Sequence, residues 1–424
     1  MPKNITANQL PGLMKPGHTV YIQNGSVQPI TLVDAIKAHP DCAEGINFIS
    51  MVNRLNPNDF TTLHPTAQQV TFFMTSLLRD GYDPSRMHIL PLHLSGIFKY
   101  LTEVADIDIA CIQVAPPDNN GHCSFGIAGD YVPAALAKAT MIIAEVNPSL
   151  PVSIGAPGIA WDDIDYAVDA NHLPLVWENK PPRDDVAALG RNVAGLVNDG
   201  DTIQLGVGTA PDAVLLALTD RRNLGVHTGM VPDALVDLVA SGAVTGQNKS
   251  IDKGLIVTGS AMGTQRLYDF LDGDAPVAFR PVSYTHDVGV LKQIDNLRAI
   301  NSVVEIDLLG QANCEFMNGR QIAGIGGQLD FIRGAKLSPG GISVQALQAT
   351  AKGGTISRIV LKIPENAAGS VPRTDADYVI TEYGVADLRF TPVNERAEKL
   401  IAIAAPQFRD ELSNEWDRMQ RTSR

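Results

Sequence analysis

The chain carries one outline twice. From Gly17 it reads G-H-T-V-Y-I-Q-N-G-S-V-Q-P-I-T-L-V-D-A-I, and from Gly200 it reads G-D-T-I-Q-L-G-V-G-T-A-P-D-A-V-L-L-A-L. At an offset of 183 residues Gly17 falls on Gly200, Thr19 on Thr202, Ile22 on Leu205, Gly25 on Gly208 and Leu32 on Leu215. Each copy is an apolar strand, a glycine-containing turn and a helix with apolar residues at helical spacing. Strands separated by helices build parallel sheets, so the repeat predicts an α/β chain of two similar domains with largely parallel sheets. The same layout can turn backbone N–H groups at a helix N-terminus toward an anion. For the first copy a plain strand–turn–helix unit is reading enough.

The length, 424 residues, exceeds one ordinary core. The expected division is a domain over 1–182 and another over 183–424, joined through the proline-rich, charged stretch Pro174–Asp185. Further parallel-sheet strands are expected at Met141–Glu145, Leu255–Thr258, Ser302–Leu308 and Tyr378–Thr381. Helices are expected at Val132–Ala139, Asn394–Ala404 and, on the surface, Glu411–Arg424. A hydrophobic fraction of 45% with 19% charged residues is globular. A net charge of −13 argues against nucleic acid or an anionic membrane as partner, while leaving room for a locally positive pocket. Met1–Pro11 lacks the layout of a signal peptide, and no apolar run is long enough to span a bilayer. Cys42, Cys111, Cys123 and Cys314 form no C-x-x-C pair, and no H-x-x-x-H or H-E-x-x-H spacing occurs. A cytoplasmic protein without a metal is therefore expected, with unreactive thiols at Cys123 and Cys314.

Seven segments follow one another in an order that suits a single family. They are Gln113–Gly126 (Q-V-A-P-P-D-N-N-G-H-C-S-F-G), Ile143–Pro148 (I-A-E-V-N-P), Gln204–Asp212 (Q-L-G-V-G-T-A-P-D), Asn223–Leu238 (N-L-G-V-H-T-G-M-V-P-D-A-L-V-D-L), Glu305–Gln311 (E-I-D-L-L-G-Q), Gly324–Phe331 (G-I-G-G-Q-L-D-F) and Thr381–Arg389 (T-E-Y-G-V-A-D-L-R). Together they resemble the acetyl-CoA hydrolase/transferase family, the family I CoA-transferases that include 4-hydroxybutyrate, butyryl and acetate CoA-transferases. The resemblance implies two CoA-transferase-type domains, coenzyme A or an acyl-CoA as substrate, no metal, and a dimer or larger homo-oligomer. It also implies acyl-CoA contact by Gln204, Gly206, Val207 and Gly208, and by Gly324, Gly326 and Gly327. Glycine lets a thioester approach the backbone closely and leaves N–H groups free as oxyanion donors.

One position departs from the family. Its pattern is H-T-E-M, and the glutamate attacks the acyl-CoA to give an enzyme-bound anhydride and then a glutamyl-CoA thioester. Here His227, Thr228, Met230 and Asp233 match, but the nucleophile position holds Gly229. Without a carboxylate, double-displacement transfer has nowhere to store coenzyme A. Three readings are open. A carboxylate elsewhere, at Asp233, Glu315 or Glu44, could take the role. The chemistry could change, because His286 in V-S-Y-T-H-D lies where the family carries an asparagine that helps hold the thioester oxygen. An imidazole, with an ordinary pKa of about 6.5, suits general-base activation of water better than anhydride formation. Relatives on such folds hydrolyse thioesters or act on C–C bonds, so hydrolysis or acyl transfer is the expectation. His286 reads equally as a supporting or surface histidine beside Asp287. In the third reading the chain is a non-catalytic acyl-CoA-binding paralogue. Arg333, Arg358 and Arg389 are candidates for coenzyme A phosphates or a substrate carboxylate, or else for ion pairs; Arg389, with Asp387 close by, is expected to be paired.

Overall fold

The computed structural model describes residues 1–51, 55–56, 58–79, 81–153, 155–178, 182–206, 208–273 and 275–422. The chain divides into two compact units, one of Met1–Glu178 with Val257–Thr285 and the other of Asn179–Ile256 with His286–Arg424. The first crossover between them falls inside the proline-rich stretch Pro174–Asp185, and the second unit is interrupted by a segment that returns to the first. No helix among the described residues is long and apolar enough to cross a membrane.

The first unit is built on eight parallel strands: β1 (Lys3–Asn4), β2 (Thr19–Ile22), β3 (Asn47–Ile49), β4 (Gln68–Thr71), β5 (Met87–Ile89), β6 (Ile107–Val114), β7 (Ala139–Val146) and β8 (Tyr166–Asp169). Their order is β1-β8-β7-β6-β2-β3-β4-β5. Both faces are covered, as a parallel sheet requires. Val20, Ile22, Ile109, Cys111 and Ile143 pack into a core with Leu32 and Ile36 of helix α1 (Ile30–Ala38). Their alternating neighbours Tyr21, Ala110, Ile112 and Ala144 pack into a second core with Ile97, Leu101 and Val132.

The second unit has β9 (Thr202–Gln204), β10 (Gly225–Val226), β11 (Leu297–Ser302), β12 (Ile342–Ala346), β13 (Tyr378–Thr381) and β14 (Gly384–Asp387), in the order β10-β9-β11-β12-β13-β14. Only β14, at the edge, is antiparallel. The run β3-β2-β6-β7-β8 of the first sheet thus repeats as β10-β9-β11-β12-β13 in the second. Thr19 pairs with Asn47 as Thr202 pairs with Gly225. Gly25 and Gly208 occupy equivalent places after β2 and β9, both at left-handed φ, +81° and +123°. In each sheet the strand order reverses beside β2 or β9, the kind of switch point at which open α/β sheets take ligands beyond the carboxyl ends of their strands.

Two expected strands change place. Leu255–Thr258 shortens to Ile256–Thr258 and joins Val277–Phe279 in a two-stranded ribbon instead of a main sheet. Ser302–Leu308 is split. Ser302 ends β11, while Glu305–Asp307 pairs with Ala312–Asn313 and Ile359–Val360 in a small mixed sheet. A short apolar run carries no mark of which sheet buries it, and both segments are apolar enough for either. Tyr378–Thr381 and Met141–Glu145 lie in parallel strands as expected. The helices form at Val132–Leu136, Val393–Ala402 and Arg409–Thr422.

Candidate active site

The candidate site belongs to the second unit, at the carboxyl ends of β9 and β10. β9 runs through Gln204 into Leu205 and Gly206, and Gly208 caps helix α2 (Thr209–Leu216). Val207 lies outside the described residues. β10 lies parallel to β9 and continues into His227, Thr228 and Gly229. Two hydrogen bonds fasten these strand ends together: the His227 N–H donates to the Ile203 carbonyl at 3.1 Å, and Thr228 Oγ1 donates to the Leu205 carbonyl at 2.6 Å. The end of β9 through Leu205 and the segment His227–Thr228 that leads into Gly229 are therefore tied to each other. Behind them Gln204 and Asn301 exchange side-chain amide bonds of 3.4 and 3.1 Å.

Gly229 is not at left-handed φ, so backbone conformation does not explain the glycine. Space does. A Cβ at this position would lie 2.8 Å from His286 Cε1, 2.9 Å from Nε2 and 3.9 Å from Phe331 Cε2. The imidazole occupies the volume from which a side chain at 229 would start. His286 is 2% exposed and packs on the Phe331 ring, with centroids 4.6 Å apart and planes inclined by 58°. Phe331 stands in the first turn of helix α3 (Gln328–Leu337), whose cap is Gly327 and which Gly326 precedes at φ +63°. The helix that follows the Gly324–Gly327 loop thus reaches the imidazole through Phe331.

The other candidate carboxylates stand in different settings. Glu44 is exposed at the end of a 3-10 turn in the first unit. Asp233 begins the short helix Ala234–Ala240 after the Gly229 turn. Glu315 is 8% exposed; its carboxylate accepts a bond from Ser370 Oγ at 2.7 Å, and its carbonyl accepts from Ile322 and Ala323 at the entry to the glycine loop. Among the histidines, His122 is exposed on a strand of a two-stranded antiparallel ribbon, and His93 bonds Ser95 at the start of its helix. Arg389 is paired with Asp387, and Arg333 lies 3.6 Å from Asp375. Arg358 is half-buried, and burial lowers its pKa against the fields of Glu382 and Glu305. Burial pushes the Cys123 thiol up to about 11 and the Cys314 thiol higher still, which leaves both inert near neutrality.

Two parts of this neighbourhood are invisible in the sequence. One is the Phe331–His286 stack, which joins segments 45 residues apart with no spacing rule between them. The other is Lys249, whose fully buried ammonium sits behind β10.

Known proteins match nearly the whole chain. Residues 2–176 match the acetyl-CoA hydrolase/transferase N-terminal domain, and residues 263–416 match the C-terminal domain of the same name. The 4-hydroxybutyrate coenzyme A transferase of Clostridium kluyveri is 38% identical over 98% of this chain and 97% of its own length. Among solved structures, RipA from Yersinia pestis superposes with a TM-score of 0.91 at 30% identity, covering 99% of this chain and 98% of the other. A 4-hydroxybutyrate CoA-transferase from Porphyromonas gingivalis superposes at 0.83 with 33% identity, covering 98% of each. The chain belongs to the acetyl-CoA hydrolase/transferase family of enzymes.

Proposed function

We propose that this protein binds acyl-CoA through its glycine turns and hydrolyses the thioester by general-base catalysis at His286, without a glutamyl-CoA intermediate. The observation that carries the reading is the exchange at one point in space: Gly229 lacks a side chain where the family pattern has glutamate, and the His286 ring fills that volume within 2.9 Å of the missing Cβ. In this scheme an imidazole nitrogen takes a proton from water as the water oxygen attacks the thioester carbonyl. The C–S bond breaks, and the thiolate leaves with the proton from the imidazolium. Backbone N–H groups of the Gly206–Gly208 and Gly326–Gly327 turns serve the developing oxyanion. Nothing stores coenzyme A on the protein, so a free carboxylate gains no route to become the new thioester. Proteins named acetyl-CoA hydrolase occur among the relatives, one in Yarrowia lipolytica at 27% identity over 72% of this chain.

One observation favours a second reading, an acyl-CoA-binding protein without turnover: at 2% exposure His286 has little surface to offer water. The experiment is incubation with acetyl-, butyryl- and longer acyl-CoAs, with and without acetate, following free thiol and new thioester separately. Hydrolysis predicts free coenzyme A at a rate indifferent to acetate. Transfer to acetate would contradict the proposal, and tight binding with no thiol release would favour the binder.

A further inference from the structure

Lys249 is a buried cation that neither reading above employs. Its side chain is 1% exposed, and its ammonium donates to the Val226 carbonyl at 3.2 Å and the Leu255 carbonyl at 2.8 Å. Val226 ends β10, and the next three residues are His227, Thr228 and Gly229. The lysine stem reaches this point across Gly225, where a Cβ would lie 2.5 Å from Lys249 Cγ and 2.7 Å from Thr202 Oγ1. Gly225 is therefore the gap through which the stem passes. Burying an ammonium costs free energy unless it performs specific hydrogen bonding. Here it gathers two carbonyls, one at the end of β10 and one just before the strand Ile256–Thr258.

We infer that Lys249 is a positioning residue: its ammonium fastens the end of β10 and so sets where the Gly229 turn meets His286. The inference rests on the proposed role of that turn. Charge-assisted bonds are roughly twice as strong as neutral ones, so the tether slackens when the amine loses its proton. Burial brings that proton loss down to about 8, opposed by the field of Asp252. Of the other titratable groups on the elements around it, Asp201 is taken up by Arg298, and His227, one residue past Val226, is fully buried.

The test follows the Gly229 amide by NMR, one of three signals (Gly229, Gly246, Gly259) selected by isotope pair labelling of threonine carbonyls and glycine amides and assigned by its loss from that set in Thr228→Val, alongside the Lys249 side chain. The Gly229 amide is expected to move with the same midpoint as Lys249. In Lys249→Met that step vanishes, and kcat for thioester hydrolysis falls by about 10- to 100-fold, the scale of an ångström-sized misplacement, with KM unchanged. Gly225→Ala keeps every charge but blocks the stem, and is expected to reproduce both effects, which covers the case that Lys249→Met does not fold. A Gly229 amide that ignores the Lys249 titration, or a Lys249→Met protein with wild-type kcat and amide position, overturns the inference. If the wild type hydrolyses no thioester, the proposed function fails separately, and the amide titration still decides whether the tether exists.

Discussion

At position 229 the missing side chain and the His286 ring are two halves of one arrangement. A lone Gly229→Glu substitution places its Cβ 2.8 Å from a buried ring that also packs on Phe331. The single variant is therefore expected to lose stability and to gain little or no transferase activity. The double variant Gly229→Glu with His286→Ala opens the space, and is expected to form a hydroxylamine-sensitive adduct at residue 229 and to pass coenzyme A to acetate. If the single variant is as active in transfer as the double, His286 does not exclude the family nucleophile. The fastening of the turn has its own test. Thr228→Val removes the 2.6 Å bond to the Leu205 carbonyl and leaves that acceptor buried, which is expected to cost about 1–3 kcal/mol. Urea denaturation measures the loss, and an unchanged midpoint would mean the clamp contributes nothing.

Elements differ in how openly the sequence announces them. The strand–glycine–helix units at Gly17 and Gly200 are local patterns, so their repeat foretold the equivalent places of Gly25 and Gly208. Tyr378–Thr381 was legible for the same reason. Ser302–Leu308 was not, because Val303, Val304 and Ile306 are apolar in either of the two sheets that share that stretch. Of the site, the glycine turns and Gly229 stood out by resemblance. The approach of helix α3 to the Gly229 turn depends on tertiary packing that no spacing encodes. Phe331 makes that approach, and it is 2% exposed. Phe331→Ala is expected to cost about 3–5 kcal/mol, to free the His286 ring, and to lower hydrolysis more than binding of coenzyme A. A variant that unfolds at the wild-type midpoint would show that α3 is held by other contacts.

At the scale of the whole molecule, stability depends on buried polar groups whose charge varies with pH. In the first unit Glu145 is fully buried and takes bonds from the Leu32 N–H, Gln113 and His172. The bond to Glu145 raises the His172 pKa, against the lowering effect of burial. A histidine raised in the folded state binds its proton more tightly there than in the unfolded chain. Its stabilising contribution is complete below the ordinary imidazole pKa of about 6.5 and disappears as pH rises through the folded value. The stability advantage of wild type over His172→Gln is thus expected to be larger on the acid side of neutrality than on the alkaline side. An advantage that grows with pH would reverse the assignment. The proposed replacement of the family's glutamate by His286 is measured by comparing thiol release from butyryl-CoA by wild type and His286→Ala, with mass spectrometry of the wild-type protein under turnover. The expected result is release slowed about 10²–10⁴-fold in the variant, coenzyme A affinity retained, and no covalent adduct on the wild type. Equal release by the variant, or a glutamyl-CoA adduct anywhere on the wild-type chain, would contradict it.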